Sequence, residues 1–382
     1  MGKHLILVGC GHAHLTALVK AGEYVSRGHR VTLVSPAPYH YYSGMGPGML
    51  SGIYRPEEAR FHIKKMAEGR GAAYLEGSAI RVDPERRVLS LNSGHEIGYD
   101  IVSFNIGSNV PLESGMGHDT KVFTVKPIIN LLEARRVVLK LIKVGEPRLL
   151  VVGGGAAGIE VTGNLHRLVH DQRGKSHIML LAGRRLLGAF PEKVRRLAMD
   201  SLNDRGIEVV EGPRLSRFEH GAAVLSDGRS VPYELLLLAL GVKPSLLFQD
   251  SGLPTGEDGG LLVNANLQCV AYPEIFGGGD CISLEGRQME RVGVFAVRQN
   301  PILYHNLMAA LEGGQMRSFD PGRPYLLIFN LGNGRGIFFR KNWVWNGRLS
   351  FYLKDYIDRK FMRAFQVSGE RERYETEREK DP

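Results

Sequence analysis

Two segments of the chain each read as a short buried strand, a glycine turn and a helix: "LILVGCGHAHLTAL" from residue 5 and "RLLVVGGGAAGIEVTGNL" from residue 148. A second β-like run follows each unit, "HRVTLVSP" at 29–36 and "SHIMLLAG" at 176–183. That succession is the βαβ pattern of a parallel, doubly wound sheet. Its repetition roughly a third of the chain apart predicts an α/β protein with two Rossmann-like dinucleotide-binding domains. Three further apolar runs end on glycine, "YDIVSFNIGSNVP" (99–111), "YELLLLALGVKP" (233–244) and "EIFGGGDCISLEG" (274–286). Buried strands end this way when their carboxyl ends face a ligand crevice.

The second loop carries Gly153, Gly155 and Gly158 at the full G-x-G-x-x-G spacing. Those glycines permit a tight turn, close approach to a pyrophosphate, and close packing of helix on strand. The helix N-terminus then presents free N–H groups to the phosphates. The following strand ends in "LLAGRRLL" with no acid to hold a ribose 2′-hydroxyl. Arg184 and Arg185 stand there instead, either as partners for the 2′-phosphate of NADPH or as a solvated basic turn. The first loop keeps Gly9 and Gly11 but has His14 at the third glycine position. Because that position serves packing, the loop is expected to bind still, with His14 filling the space and His12 the better placed to touch a ligand. The strand after it ends in Ser35 where an acid is usual.

With 382 residues, 43% of them hydrophobic, the chain can build two or three cores. Its three cysteines, Cys10, Cys269 and Cys281, form no C-x-x-C pair, so neither a disulfide framework nor a metal cage is indicated. The longest apolar run, "LLLLALGV" at 235–242, falls far short of the ~20 residues a spanning helix needs. No signal peptide is visible, which fits a cytoplasmic protein. A net charge of +9 is compatible with nucleotide phosphates or an anionic surface, but nucleic acid is not expected without a recognition motif. The charged segment 369–382 has little to bury and reads as a frayed tail.

The motifs in order give the chain a specific resemblance. "GCGHAHL", "VTLVSPAPYHYYSGMGPGMLSGIYRPEE", "IVSFNIGS", "IFGGGDC" and "YLKDYIDRKFMRAF" resemble the FAD-dependent pyridine nucleotide–disulfide oxidoreductases. The branch is that of type II NADH dehydrogenases and sulfide–quinone reductases, and the reductase module often fused to selenophosphate synthetase is most similar. The resemblance implies a discontinuous FAD domain (1–110 and 245–318), an NAD(P)H domain (111–244) and a C-terminal region (319–368). It also implies that Gly9, Gly11, His12 and Ser35 lie along FAD, that Ser43, Gly44 and Met45 pass the flavin ring, and that Gly107 ends the hinge strand. In the G-D motif, Gly279 would turn the chain and Asp280 would accept hydrogen bonds from ribityl hydroxyls. Glu160 would border the contact between nicotinamide and flavin, unless it is simply a helix-start carboxylate favoured by the dipole.

The reaction implied is hydride transfer from NAD(P)H to FAD, and then electron transfer to a second substrate. A disulfide acceptor needs a cysteine pair that the chain lacks, which leaves a quinone-like acceptor. Arg298 and Gln299, in "ERVGVFAVRQNPILYHNL", are the candidate contacts at its edge. The alternatives are a flavin reductase of selenium or sulfur metabolism and a flavin-bearing nucleotide sensor. Near the C-terminus, Leu353, Ile357, Phe361 and Phe365 recur every four residues among Lys354, Arg359, Lys360 and Arg363, behind Trp343 and Trp345. That reads as a basic amphipathic helix for the inner face of the cell membrane, or as packing against the protein itself or a twin subunit.

Overall fold

The structure is a computed structural model and describes residues 2–111, 119–219, 221–322 and 324–370. Two five-stranded parallel sheets organise it. The first runs Ile275–Gly277, Ile101–Phe104, His4–Val8, Arg30–Ser35, Ala73–Glu76 across its width. The second runs Val122–Thr124, Leu235–Leu238, Arg148–Val152, His177–Gly183, Glu208–Glu211. The central strands are buried on both faces, so they are apolar throughout and do not alternate. A three-stranded antiparallel meander follows the parallel strands in each half, at residues 79–98 and 215–232.

Strand order fixes where ligands can sit. In the first sheet the chain moves outward from His4–Val8 through two strands on one side, then crosses to Ile101–Phe104 on the other. The loops after these two neighbours diverge, and a crevice opens at their carboxyl ends. Arg148–Val152 and Leu235–Leu238 make the same reversal in the second sheet.

The C-terminal region is a three-stranded antiparallel sheet, Leu327–Asn330, Gly336–Arg340 and Trp343–Gly347, followed by the helix Arg348–Phe365. Phe329, Leu331, Ile337 and Val344 join the core of the second parallel sheet, whereas Met362, Phe361 and Phe365 join that of the first. One short region thus bridges both halves.

The four-residue stripe expected on this helix is split. Each four-residue step overshoots a turn by about 40°, so the stripe winds around the helix by about 120° over its length. Phe361 and Phe365 therefore pack inward, against Phe61, while Leu353 and Ile357 face outward, 37% and 40% exposed. Lys354, expected on the solvated side, is buried with Asp358. Of the expected tail, Glu370 is buried and accepts hydrogen bonds from the backbone of His62 and Ser368; 371–382 lie outside the described residues. Among the described residues no helix is long and apolar enough to cross a membrane.

Candidate functional site

In the first crevice, Gly9 and Gly11 are required by the closeness of Asn105. A Cβ on Gly9, where φ is +74°, would stand 2.6 Å from the Asn105 carbonyl oxygen, and one on Gly11 would stand 2.5 Å from its Oδ1. Asn105 also accepts from the backbone of Ala13 (3.0 Å) and donates to the Gly278 carbonyl (2.6 Å). One side chain thereby ties the glycine loop to the G-D loop. His14 fills the missing glycine's space, as expected. Its ring bridges the Gly9 carbonyl (2.7 Å) and Ser103 Oγ (2.8 Å) with no exposed surface. Burial lowers its pKa from 6.5 to about 4, against the Gly9 hydrogen bond.

That burial gives a prediction. The unfolded chain binds more protons at this histidine between pH 4 and 6.5, so stability falls as pH drops below 6.5. At pH 5 the loss from His14 alone is about 2 kcal/mol, and the buried His12 and His40, likewise held neutral, add to it. Urea unfolding at pH 7.5 and 5 measures it, and equal stability of wild type at both would contradict it.

Asp280 stands across the crevice. Its Oδ2 accepts from Lys126 Nζ at 2.6 Å and from Ser108 Oγ at 2.9 Å, and Oδ1 remains to accept from a ligand hydroxyl. Burial pushes the carboxyl up, but Lys126, Ser108 and His12 outweigh it and hold the pKa below the ordinary aspartate value. Gly107, with φ of +71°, meets nothing within 4 Å of its Cβ position, and Gly279 turns at +73°. Cys281 is fully buried against the Phe104 and Gly278 carbonyls, and burial pushes its thiol up to about 12. Such a thiol is not a nucleophile near neutral pH. Gln299 is buried and accepts from the Gly279 backbone at 2.6 Å. Arg298, about 100° around the helix, donates instead to the Pro324 carbonyl at the surface. The two candidate acceptor contacts do not share a face.

The second loop has the geometry its glycines permit. A Cβ on Gly158 would lie 1.7 Å from the Gly153 carbonyl oxygen, and one on Gly153 would lie 2.2 Å from that of Ala239. Gly155 meets nothing and caps the helix Ala156–Asp171, which has no side-chain cap and no acid in its first turn. Arg185 pairs with Glu192, whereas Arg184 is exposed. Ser35, ending its strand beside Glu76, is buried.

Between the two crevices lies a buried polar cluster. Glu160 accepts from the Asn330 backbone at 2.7 Å; burial raises its pKa, against Lys354 and that hydrogen bond. Lys354 donates to the Gly44 carbonyl (2.7 Å) and to Asp358 (2.8 Å), and Asp358 accepts from Tyr42 (3.1 Å). The C-terminal helix thereby grips the loop of Ser43, Gly44 and the buried Met45. Lys126, Asn105, Lys354 and Asp358 were not anticipated from the sequence. The one signal was the lysine before proline just after a strand, in "VFTVKP" (122–127).

The first crevice fits a dinucleotide with polyol hydroxyls: two glycines that no side chain could replace, a carboxylate with one free oxygen, and an unpartnered imidazole on His12. The second fits another dinucleotide. Two such crevices in one chain, bridged by a common C-terminal region, define a flavin–nicotinamide oxidoreductase.

More particularly, the chain belongs to the pyridine nucleotide-disulphide oxidoreductase family, which it matches over residues 3–306. It is an oxidoreductase whose cofactors are FAD and a nicotinamide nucleotide donor. It is 25% identical over 313 residues to ferroptosis suppressor protein 1 of Taeniopygia guttata, covering 78% of this chain and 80% of that one. It is 23% identical over 366 residues to the type II NADH:quinone oxidoreductase of Haemophilus influenzae, covering 83% and 82%. Among solved structures, NDH2 from Plasmodium falciparum in complex with NADH superposes with a TM-score of 0.81 at 15% identity, covering 97% of this chain and 98% of that one. The sulfide:quinone oxidoreductase of Aquifex aeolicus gives 0.78 at 17%, covering 96% and 92%. These structural likenesses speak for the fold. Among the described residues no cluster suits a metal ion.

Proposed function

We propose that this protein oxidises NAD(P)H and reduces a quinone-like acceptor through FAD. FAD supplies the ring that takes up hydride and gives up its electrons. The chain supplies position. Residues 1–110 and 245–318 hold FAD, with Gly9, Gly11 and the following helix at its pyrophosphate and Asp280 on its ribityl hydroxyls. Residues 111–244 hold NAD(P)H at Gly153, Gly155 and Gly158, and Glu160 orders the nicotinamide. The loop at Ser43, Gly44 and Met45 lies at the ring, gripped by Lys354. One observation carries this reading over a sulfur-handling one: the complete second nucleotide site accompanies three cysteines that are all buried and free. The test is anaerobic reduction of the flavin by NAD(P)H, followed by reoxidation with a soluble quinone, sulfide-derived species or selenium species. Reoxidation by quinone is expected; reoxidation only by sulfur or selenium species would favour the flavin reductase of that metabolism. Failure of NAD(P)H to reduce the flavin would favour the sensor.

Arg184 is exposed and follows a strand whose own run, "LLAGRRLL", carries no acid, which supports NADPH as a substrate. Arg184→Ala is expected to lower kcat/KM for NADPH about tenfold and leave NADH unchanged, as for loss of one charge-assisted bond. Equal losses with both nucleotides would contradict this role.

The C-terminal region supports docking on an anionic membrane at the inner face of the cell membrane. Trp343, Leu349, Tyr352, Leu353, Tyr356 and Ile357 are exposed together, with Arg340, Lys341, Arg348, Lys360 and Arg363 exposed around them. This combination suits lipid headgroups and acyl chains. Each large side chain withdrawn from water contributes about 1.5–3 kcal/mol. Leu353 and Ile357 are only 37% and 40% exposed, so Leu353→Glu with Ile357→Glu should weaken co-sedimentation with anionic vesicles at least about tenfold. Unchanged binding would direct this face to a twin subunit instead.

A further inference from the structure

His12 stands where several elements meet. Its ring lies edge-on to His40 (5.6 Å), Tyr42 (5.0 Å) and Phe361 (5.8 Å). It is 7% exposed, and neither its Nε2 nor that of His40 has a hydrogen-bond partner. Buried imidazole nitrogens are rarely left so, because losing water without a replacement is costly. His12 Nδ1 lies 3.4 Å from where a Cβ on Gly293 would stand, and Ser43 Oγ lies 3.7 Å from the same point. Gly293 opens a 20-residue helix with no side-chain cap and no acid in its first turn. An uncapped helix end, a hydroxyl and a partnerless imidazole converge beside the first glycine loop.

The reaction proposed above needs one proton that its reductant does not bring. NAD(P)H passes a hydride, which is two electrons and one proton. A quinone leaving as quinol takes two electrons and two protons. The second proton comes from water, and it has to be held near the reduced centre until the acceptor arrives. We propose that His12 stores this proton: it takes it from water as the electron pair arrives and gives it to an acceptor oxygen as the pair leaves. NAD(P)H, quinone and the proton on His12 then balance NAD(P)⁺, quinol and neutral His12. The assignment rests on the quinone-reductase reading.

The surroundings suit that cycle. Burial keeps the imidazole neutral at rest and lowers its pKa to about 4; Asp280 opposes this and Lys126 adds to it. The remaining facing groups are His40 on the short strand His40–Tyr41, and Tyr42, whose hydroxyl is tied to Asp358 with Lys354 behind it. A negative charge arriving at contact distance in a half-dry site raises an imidazole's proton affinity about a thousandfold. That brings His12 to near neutrality, where a store has to titrate. Glu160 is the competing buried acid, but its carboxylate is held by Asn330.

Proton uptake during anaerobic reduction tests this, with a pH-indicator dye in weak buffer and one equivalent of NAD(P)H per FAD. Hydride transfer alone takes up no proton from solution, so wild type is expected to take up about one per flavin near pH 7 through His12. Counted per flavin that is bound and bleached, His12→Phe and His12→Asn are expected to take up almost none. Uptake equal to wild type in these variants would overturn the proposal, as would loss of uptake in Glu160→Gln with retention in His12→Phe. Absence of uptake in wild type would overturn it without touching the quinone-reductase reading, which bleaching by NAD(P)H and reoxidation by a soluble quinone report separately. If both His12 variants lose flavin, spectra of wild type with nitrogen-labelled histidine, oxidised and reduced, decide the matter. One imidazole passing from neutral to cationic is expected, and none doing so overturns the assignment.

Discussion

A Gly155→Val variant is expected to fold with stability within about 1 kcal/mol of wild type and to keep its FAD, yet to lose at least about a hundredfold in kcat/KM for NAD(P)H. The space beside Gly155 is empty. No protein atom lies within 4 Å of the Cβ position at Gly155, its φ of −87° suits any residue, and it caps the helix Ala156–Asp171 from outside. A side chain there offends nothing in the protein, but it occupies the approach to the helix N-terminus where a pyrophosphate would sit. Displacing the nucleotide by about 1 Å is enough for the hundredfold loss. Stopped-flow bleaching of the flavin measures it. Wild-type reduction rates and affinity in this variant would mean that the second crevice is not the nicotinamide site.

The second large effect concerns Asp280. Asp280→Ala is expected to be purified with less than about a tenth of its FAD, since a carboxylate that accepts from polyol hydroxyls makes charge-assisted bonds with no replacement. It also strands Lys126, whose side chain is 25% exposed, so water screens part of the loss and the fold should survive. Asp280→Asn, which keeps the shape and one acceptor oxygen, should retain more flavin than alanine. Because Lys126 and its neighbours hold the carboxyl below its ordinary pKa, the charge persists through the ordinary aspartate range and is lost only as pH falls below it. Flavin retention in wild type should follow that sign. Full occupancy in Asp280→Ala by absorbance would contradict the assignment.

How much of this was legible beforehand follows from the range of the interactions. The two parallel sheets and their crevices were legible because unbroken apolar strands and glycine spacing are local signals. Gly158 illustrates this, since its role depends on a carbonyl only five residues away. Asp280 was legible through its motif. Lys126 was not, since it meets Asp280 across 154 residues of chain. Lys354 was misplaced for a different reason. A stripe with four-residue spacing winds slowly around a helix, so its two ends face different surroundings. Arg298 and Gln299 are adjacent in sequence and diverge in space for the same helical reason, with Gln299 on the Gly279 backbone and Arg298 at the surface.

One chain brings two nucleotides together, and anaerobic titration of the FAD-loaded protein with NAD(P)H tests that most directly. Stoichiometric bleaching of the flavin absorbance, with full recovery on adding a quinone, is the predicted result. A flavin spectrum unmoved by excess NADH and NADPH would contradict it.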